Sequence, residues 1–390
     1  MRLDLDNRLG AGTNLHVHGL HVSPEDNGDN AFLHIDDGET FQYEYAVPQD
    51  HPAGTFWYHP HLHGLVADQL FGGLAGAIVV VRNDEVPLPV ERERVLVVTD
   101  VTLDGDRVAP VGMPERMMGR EGALVLVNGQ IEPIVTVAPG GYERWRIINA
   151  CAARFLRLRV DGAELLQTAG DAGPLAEPAS VSEVTLATGN RAELLVRIAE
   201  AGRHRLVAEP VDRGTGGMGK MGRRPVSSSE TVTLLRIDAG GDVVAAQELP
   251  DRLAELDDLR GVEVDGERTL TFAMSMGMGR GMRFTIDDRE FDADRVDTTV
   301  GLDTVEEWTI TNDSPMDHPL HLHVWPMQVV TRNGQAIDGS PQWLDVVNVP
   351  AEGTVTVRVR FSDFPGRTVY HCHILDHEDQ GMMAVVEART

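Results

Sequence analysis

Lysine is nearly missing from this chain. Its 390 residues include a single one, Lys220, beside 33 arginines, set against 61 aspartates and glutamates for a formal net charge of −27. So large a deficit of positive charge argues against nucleic acid and anionic lipid as partners, because both are repelled. It suits cationic substrates or plain solubility, and most of these carboxylates read as a solvated surface. Long apolar runs are also lacking. No stretch approaches the roughly 20 residues needed to span a bilayer, and the opening Met1-Arg2-Leu3-Asp4-Leu5-Asp6 has no apolar signal core. Cysteine occurs twice. Two cysteines are too few for a disulfide framework, and Cys151 reads as a small buried apolar residue.

The length and a 42% hydrophobic share allow two or three domains, each with its own core. Short runs rich in Val, Ile, Leu and Thr, punctuated by Gly, Pro, Asp and Asn, predict strands at 77–81, 95–99, 124–127, 134–137, 194–198, 232–237 and 354–361. Val355-Thr356-Val357-Arg358-Val359-Arg360-Phe361 alternates cleanly, as a strand with one buried and one wet face should. The reading is an all-β chain of sandwiches or barrels. Helical signals are few, with one short helix expected at 251–259. Breaks fall at Asn83–Pro89 and around Asp238–Gly261.

The chemistry gathers at Tyr370-His371-Cys372-His373-Ile374-Leu375-Asp376-His377-Glu378-Asp379-Gln380-Gly381-Met382. Side chains alternate along a strand, so His371 and His373 share one face and the Cys372 sulfur lies on the other. One segment can then serve two metal sites. His377 and Met382 follow a bend and can fold back to the Cys372 side. Cysteine, histidine and a weak axial methionine are blue-copper ligands that still need one more imidazole. His318, in Asp317-His318-Pro319-Leu320-His321-Leu322-His323, would complete the set. His321 and His323 again share a face, and His16-Val17-His18 and His59-Pro60-His61 supply four more imidazoles at the same spacing. A lone HxH pair says little; four such segments, one with a thiolate between its histidines, are hard to explain except as metal sites.

These segments resemble those of the multicopper oxidases, the group that includes laccases, ascorbate oxidase, ceruloplasmin and the bacterial cuprous oxidases. The resemblance covers nearly the whole chain. It implies three cupredoxin-like Greek-key β-barrels: residues 1–85 with cluster ligands, 86–240 as a spacer without copper ligands, a linker at 241–262, and 263–390 with both kinds of site. It implies four coppers per chain. A type 1 copper would lie on His318, Cys372, His377 and axial Met382, and a type 2 copper on His16 and His321. The type 3 pair would lie on His18, His59 and His373, and on His61, His323 and His371. His21, His34, His51 and His63 are left as non-ligands. The implied reaction takes one electron at a time from a small reducing substrate, a phenol, an aromatic amine or a metal ion such as Cu(I), and reduces dioxygen to water. Bacterial members are usually exported, which implies an extracytoplasmic place. Only fifteen residues precede His16, fewer than is usual in the family, so the first barrel is expected to be shortened at its start.

Further roles follow from the same resemblance. Glu378 matches the acid on the proton route of cuprous oxidases, and Asp26 or Asp29, in Glu25-Asp26-Asn27-Gly28-Asp29-Asn30, offers a second carboxylate near the cluster; a turn acid satisfied by backbone amides is the competing account for either. Nine of the 14 methionines fall in three places: Met113–Met118, Met218–Met221 and Met274–Met282. Thioethers favour Cu(I), so Met274, Met276, Met278 and Met282 are candidate substrate ligands against the alternative of gap-filling in a core. Met316 and Asp317, ahead of His318, and Asp313 are further candidates, with a buried turn as the alternative. A cupredoxin-fold electron carrier or structural protein without oxidase activity is the reading from another class.

Overall fold

A computed structural model describes residues 1–214, 230–277 and 281–390. Strands occupy every run expected from the alternation, and Thr354–Phe361 buries Val355, Val357, Val359 and Phe361 on one face. The strands form three successive layered units. The first holds a two-stranded sheet, Arg2–Asp6 paired with Thr40–Glu44, and a three-stranded sheet of His16–His18, Gly54–His59 and Gly76–Val80. The second stacks a six-stranded sheet on a five-stranded one, and the third a seven-stranded on a five-stranded.

Sequence-adjacent strands often do not pair. Tyr142–Asn149 lies antiparallel to Arg191–Ile198 and parallel to Arg92–Val101, and Gly266–Gly277 runs parallel to Thr304–Asn312. Such crossovers between two facing sheets mark a Greek-key sandwich. Each of the two larger units has its own core, around Trp145 in the second and around Trp308, Trp325 and Phe361 in the third, which Ala153 of the second unit also joins. Cys372 and Met382 belong to that third core.

One apolar cluster belongs to no single unit. Trp57 and the helix Val66–Phe71 from the first unit meet Ile148, Ala150 and Ala152 from the second and Leu375 from the third. The short helix Leu375–Asp379 is fastened at the same junction, because the Asp379 carboxylate accepts the amides of Gly64, Val66 and Ala67 at 2.7, 3.2 and 2.9 Å. These are orphan donors at a helix start, and a carboxylate is their natural partner. The units are thus locked together where the histidine segments converge. Gly76 opens the strand after the Gly-rich turn, where a Cβ would lie 2.3 Å from the Tyr58 ring.

The helix expected at 251–259 is not formed. That stretch forms no regular element before Leu259, its Leu253 amide donating to the Ala176 carbonyl, and only Leu259–Gly261 closes a 3₁₀ turn. Its apolar residues dock separately on neighbouring units, so helical spacing has nothing to face. The helix Met113–Met118 went unforeseen; its signal is Pro114 at the first turn, where the missing N–H costs nothing.

Candidate metal centres

Strand register brings the first histidines together. His16–His18 pairs antiparallel with Gly54–His59, setting His16 opposite His59. In the third unit, His318–Leu322 pairs with Gly366–Cys372, setting His321 opposite His371 and Leu320 opposite Cys372. Docking of the first unit on the third then joins the two pairs. The Nε2 atoms of His16 and His321 lie 3.3 Å apart, and Nε2 of His371 lies 3.2 Å from Nε2 of both His61 and His323. His18, His59 and His373 complete the group, with ring centroids 4.9 to 5.7 Å apart. All eight rings are buried.

The outward nitrogens are held by the protein. Nδ1 of His16 donates to the Asp29 carboxylate (2.9 and 3.0 Å), that of His59 to the Pro60 carbonyl (2.9 Å), and that of His321 to the Asp345 carbonyl (2.8 Å). His61 Nδ1, His18 Nδ1, His59 Nε2 and both nitrogens of His373 find no partner among the described residues. Buried imidazole nitrogens that lack partners, or face one another at 3.2 Å, suit a cation between them. Burial pushes all eight below the ordinary imidazole range, to about 3 for His59 and His61 and to about 4 for His371. Neutral imidazole is the form that ligates a metal.

A second centre lies on the other face of Cys372. Its Sγ is 3.3 Å from His318 Nδ1 and 3.9 Å from His377 Nδ1, and the two Nδ1 atoms are 3.3 Å apart. Both outer nitrogens are tied, His318 Nε2 to Ser314 Oγ at 2.7 Å and His377 Nε2 to the Met117 carbonyl at 3.2 Å. Phe284 stacks on His377 with centroids 4.5 Å apart. The buried Met382 exchanges main-chain hydrogen bonds with Cys372 and His377. Burial raises the Cys372 thiol above its ordinary value and lowers both imidazoles, so a thiolate here calls for a neighbouring cation.

The other expected site residues divide. Asp29 is buried beside His16 and burial pushes its carboxyl up to about 7, whereas Asp26 is exposed in a left-handed turn at φ 51°; the structure brings Asp29, not Asp26, to the histidines. Glu378 is fully buried, 3.1 Å from His371 Nδ1 and 3.4 Å from His61 Nε2, and desolvation raises it to about 7. Met316 is buried in the third core, and the half-buried Asp317 carboxylate accepts from Asn348 Nδ2 and the Ala351 amide. Asp313 is exposed, its amide bonded to the Phe272 carbonyl. Met274 sits opposite Phe284 and Met276 opposite Met282 on paired strands, with Met276 exposed and Met274 and Met282 partly buried against the third core. Met278, Met218 and Met221 lie outside the described residues.

Sequence reading missed Asp345, Arg191, Arg120 and Asp376, all buried. The available signal was an ionisable residue inside an otherwise apolar run, as in Trp343-Leu344-Asp345-Val346-Val347.

The buried imidazoles predict an acid-labile metal-free protein. Their folded values lie below the unfolded 6.5, so unfolding takes up protons between pH 6.5 and about 4, and stability falls as pH falls through that window. Each uncompensated ring contributes about 1.4 kcal/mol per pH unit. Asp29, Asp171, Glu378 and Asp379, each raised to about 7, act oppositely, but the depressed rings outnumber them. Thermal melts of metal-free protein across this range should show the midpoint dropping toward acid, and a flat profile would contradict the burial of these rings.

Family models described as multicopper oxidase match residues 1–85, 99–224 and 263–390. A laccase of Bacillus stratosphericus is 27% identical over 98% of this chain and 83% of its own, and the cell division protein FtsP of Xenorhabdus nematophila is 26% identical over 98% and 79%. A solved structure of a multicopper oxidase from Campylobacter jejuni, described as "a metallo-oxidase", superposes with a TM-score of 0.87 at 30% identity, covering 100% of this chain and 83% of that one.

Proposed function

The chain belongs to the multicopper oxidase family, and we propose that it oxidises a small reducing substrate at one copper centre while reducing dioxygen to water at another. The observation that carries this is the pair of buried clusters on opposite faces of one strand. His318, Cys372, His377 and Met382 would hold a type 1 copper. His16 and His321 would hold the type 2 copper, with His18, His59 and His373, and His61, His323 and His371, on the type 3 pair. Copper held there would supply one-electron redox chemistry, by which four electrons from the donor and four protons would turn one dioxygen into two waters.

The protein's own part is to hold, join and supply. Cys372 is bonded through its backbone to His371 and His373, so one residue on either side connects the two centres. Glu378, poised near neutrality against His371 and His61, suits a proton donor, and Asp29 fixes His16. The boundaries 1–85, 86–240, 241–262 and 263–390 are retained as the domain division. The described residues contain no helix long and apolar enough to cross a membrane, and an extracytoplasmic place follows from the resemblance alone.

Of the donor classes, a metal ion fits better than a phenol. His318 and His377 are both fully buried, and Nε2 of His377 faces the Met117 carbonyl instead of an open cleft. Met276 is 76% exposed on the strand whose Met274 faces Phe284, the ring stacked on His377, and the Campylobacter relative is described as a metallo-oxidase. The test is oxygen uptake by the fully copper-loaded chain with Cu(I) and a simple phenol side by side. Uptake mainly with Cu(I) is expected, with joint replacement of Met274, Met276 and Met282 by leucine lowering it several-fold and sparing the phenol. Uptake mainly with the phenol would make this a laccase. Uptake with neither would favour a cupredoxin-fold protein without oxidase activity.

A further inference from the structure

A buried cation of the second unit stands beside the Cys372 centre with its charge only partly balanced. Arg213 lies in the connection between the strands Gly202–Glu209 and Val232–Ala239, and its side chain is 1% exposed. A guanidinium has five N–H donors. Here Nη2 reaches Glu121 Oε1 at 2.8 Å and the Met118 carbonyl at 3.4 Å, while Nε and Nη1 find no acceptor among the described residues. Phe155 takes one face, its ring centroid 5.6 Å from Cζ. Glu121 is itself shared: its other oxygen lies 3.4 Å from Arg154 Nη1, and Arg154 Nε donates to Asp100 at 2.9 Å. Asp100, Arg154, Glu121 and Arg213 thus form a buried chain of alternating sign that ends in a positive charge.

That end abuts the centre from several directions. The Arg213 carbonyl accepts the Asp317 amide at 2.9 Å, next to His318. The Met118 carbonyl on Nη2 follows the Met117 carbonyl that holds His377 Nε2. A Cβ at Gly119, where φ is 78°, would lie 2.6 Å from Ile374 Cγ2 and 3.6 Å from Arg213 Nη1, and the Ile374 amide is the donor to Cys372 Sγ. Burial dominates the proton affinities of His318, His377 and Cys372, and the Arg213 charge acts on all three as a cation should, against protonating either ring and for the thiolate. Arg120, also buried nearby, differs in being held by two carboxylates, Asp376 and Asp68, so its charge is balanced on the spot.

We infer that Arg213 is a tuning residue whose buried charge raises the reduction potential of the copper that His318, Cys372, His377 and Met382 would hold. This rests on the copper-ligand reading above. Going from Cu(II) to Cu(I) takes up one electron and removes one positive charge beside a fixed cation, so the cation favours the reduced form. Screening is weak where water and salt are excluded. A higher potential makes the centre a stronger oxidant toward its donor and lowers the driving force for handing the electron on. The middle unit, which supplies no proposed ligand, would then set how readily the third unit's copper accepts electrons.

Redox titration of the copper-loaded full chain, followed by the visible thiolate band, tests this. Arg213→Met should shift the Cu(II)/Cu(I) balance roughly tenfold toward Cu(II), a fall of about 59 mV for one electron, with the position of the band unchanged. Arg213→Lys keeps the charge and should recover most of the loss. Glu121→Gln removes the carboxylate that offsets Arg213 and should move the potential upward; it decides the matter if no Arg213 variant folds. An unmoved potential in Arg213→Met, equal falls in the methionine and lysine variants, or a fall in Glu121→Gln would each mean packing without electrostatic control and overturn the inference. A wild type with no visible thiolate band would instead sink the type 1 reading, and the inference with it.

Discussion

Cys372→Ser is expected to abolish the intense visible absorption and the oxidase turnover together, while the chain still takes up copper at the histidine cluster. The sulfur is the one ligand of its centre that serine cannot imitate, because only the thiolate gives strong charge transfer with copper. Packing should survive. Cys372 is fully buried between neighbours from the third core, and its Sγ accepts one N–H, from Ile374 at 3.4 Å, a bond that a hydroxyl can also accept. His371 and His373 point away from the sulfur, so the cluster on their face keeps all eight imidazoles. Copper content, visible absorption and oxygen uptake measured on one preparation decide the matter. A variant that stays blue would remove Cys372 from the type 1 centre, and one that loses all copper would mean the two centres fold as one.

Arg120→Met should be the largest change in stability made without touching a proposed ligand. Arg120 Nε and Nη2 lie 2.7 to 3.1 Å from the Asp376 carboxylate, and both side chains are nearly sealed from solvent, at 3% and 1% exposure. Asp376 sits on Leu375–Asp379, the helix that carries His377 and Glu378. Methionine fills most of the volume and leaves Asp376 as a buried charge with only the residue 120 amide as donor. Breaking a buried pair from one side costs about 3–5 kcal/mol. A chain of three units need not melt in one step, so the relevant transition is the one in which the visible band disappears. Adding Asp376→Asn should restore part of the loss by removing the orphaned charge. A single-variant loss below about 1 kcal/mol would mean that water reaches the carboxylate.

How much of this was legible beforehand depends on the range of the cause. Strand alternation operates over two residues, so it placed His371 and His373 on one face and Cys372 on the other without knowledge of any partner, and the tertiary structure keeps that division. The same rule located the strands of all three units. At 251–259 local pattern misled, because the apolar residues answer to contacts with other units, such as the one at Ala176. Asp26 and Asp29 are three residues apart in one turn, and only the docked turn separates a solvated acid from one bonded to His16.

The sequence by itself determined the ingredients: the all-β architecture, the ten clustered histidines, the thiolate between two of them, and the family to which such a set belongs. Tertiary structure alone decided the pairings. His16 meets His321 across 305 residues, and Arg191, Asp345 and His18 come from three different units. Those contacts depend on how folded units dock, through a shared apolar cluster and buried ion pairs whose members each look ordinary in their own stretch of chain. Side-chain alternation is a property of one strand's backbone and can be read locally; the nitrogen that a buried imidazole leaves for a metal is set by whatever packs behind it.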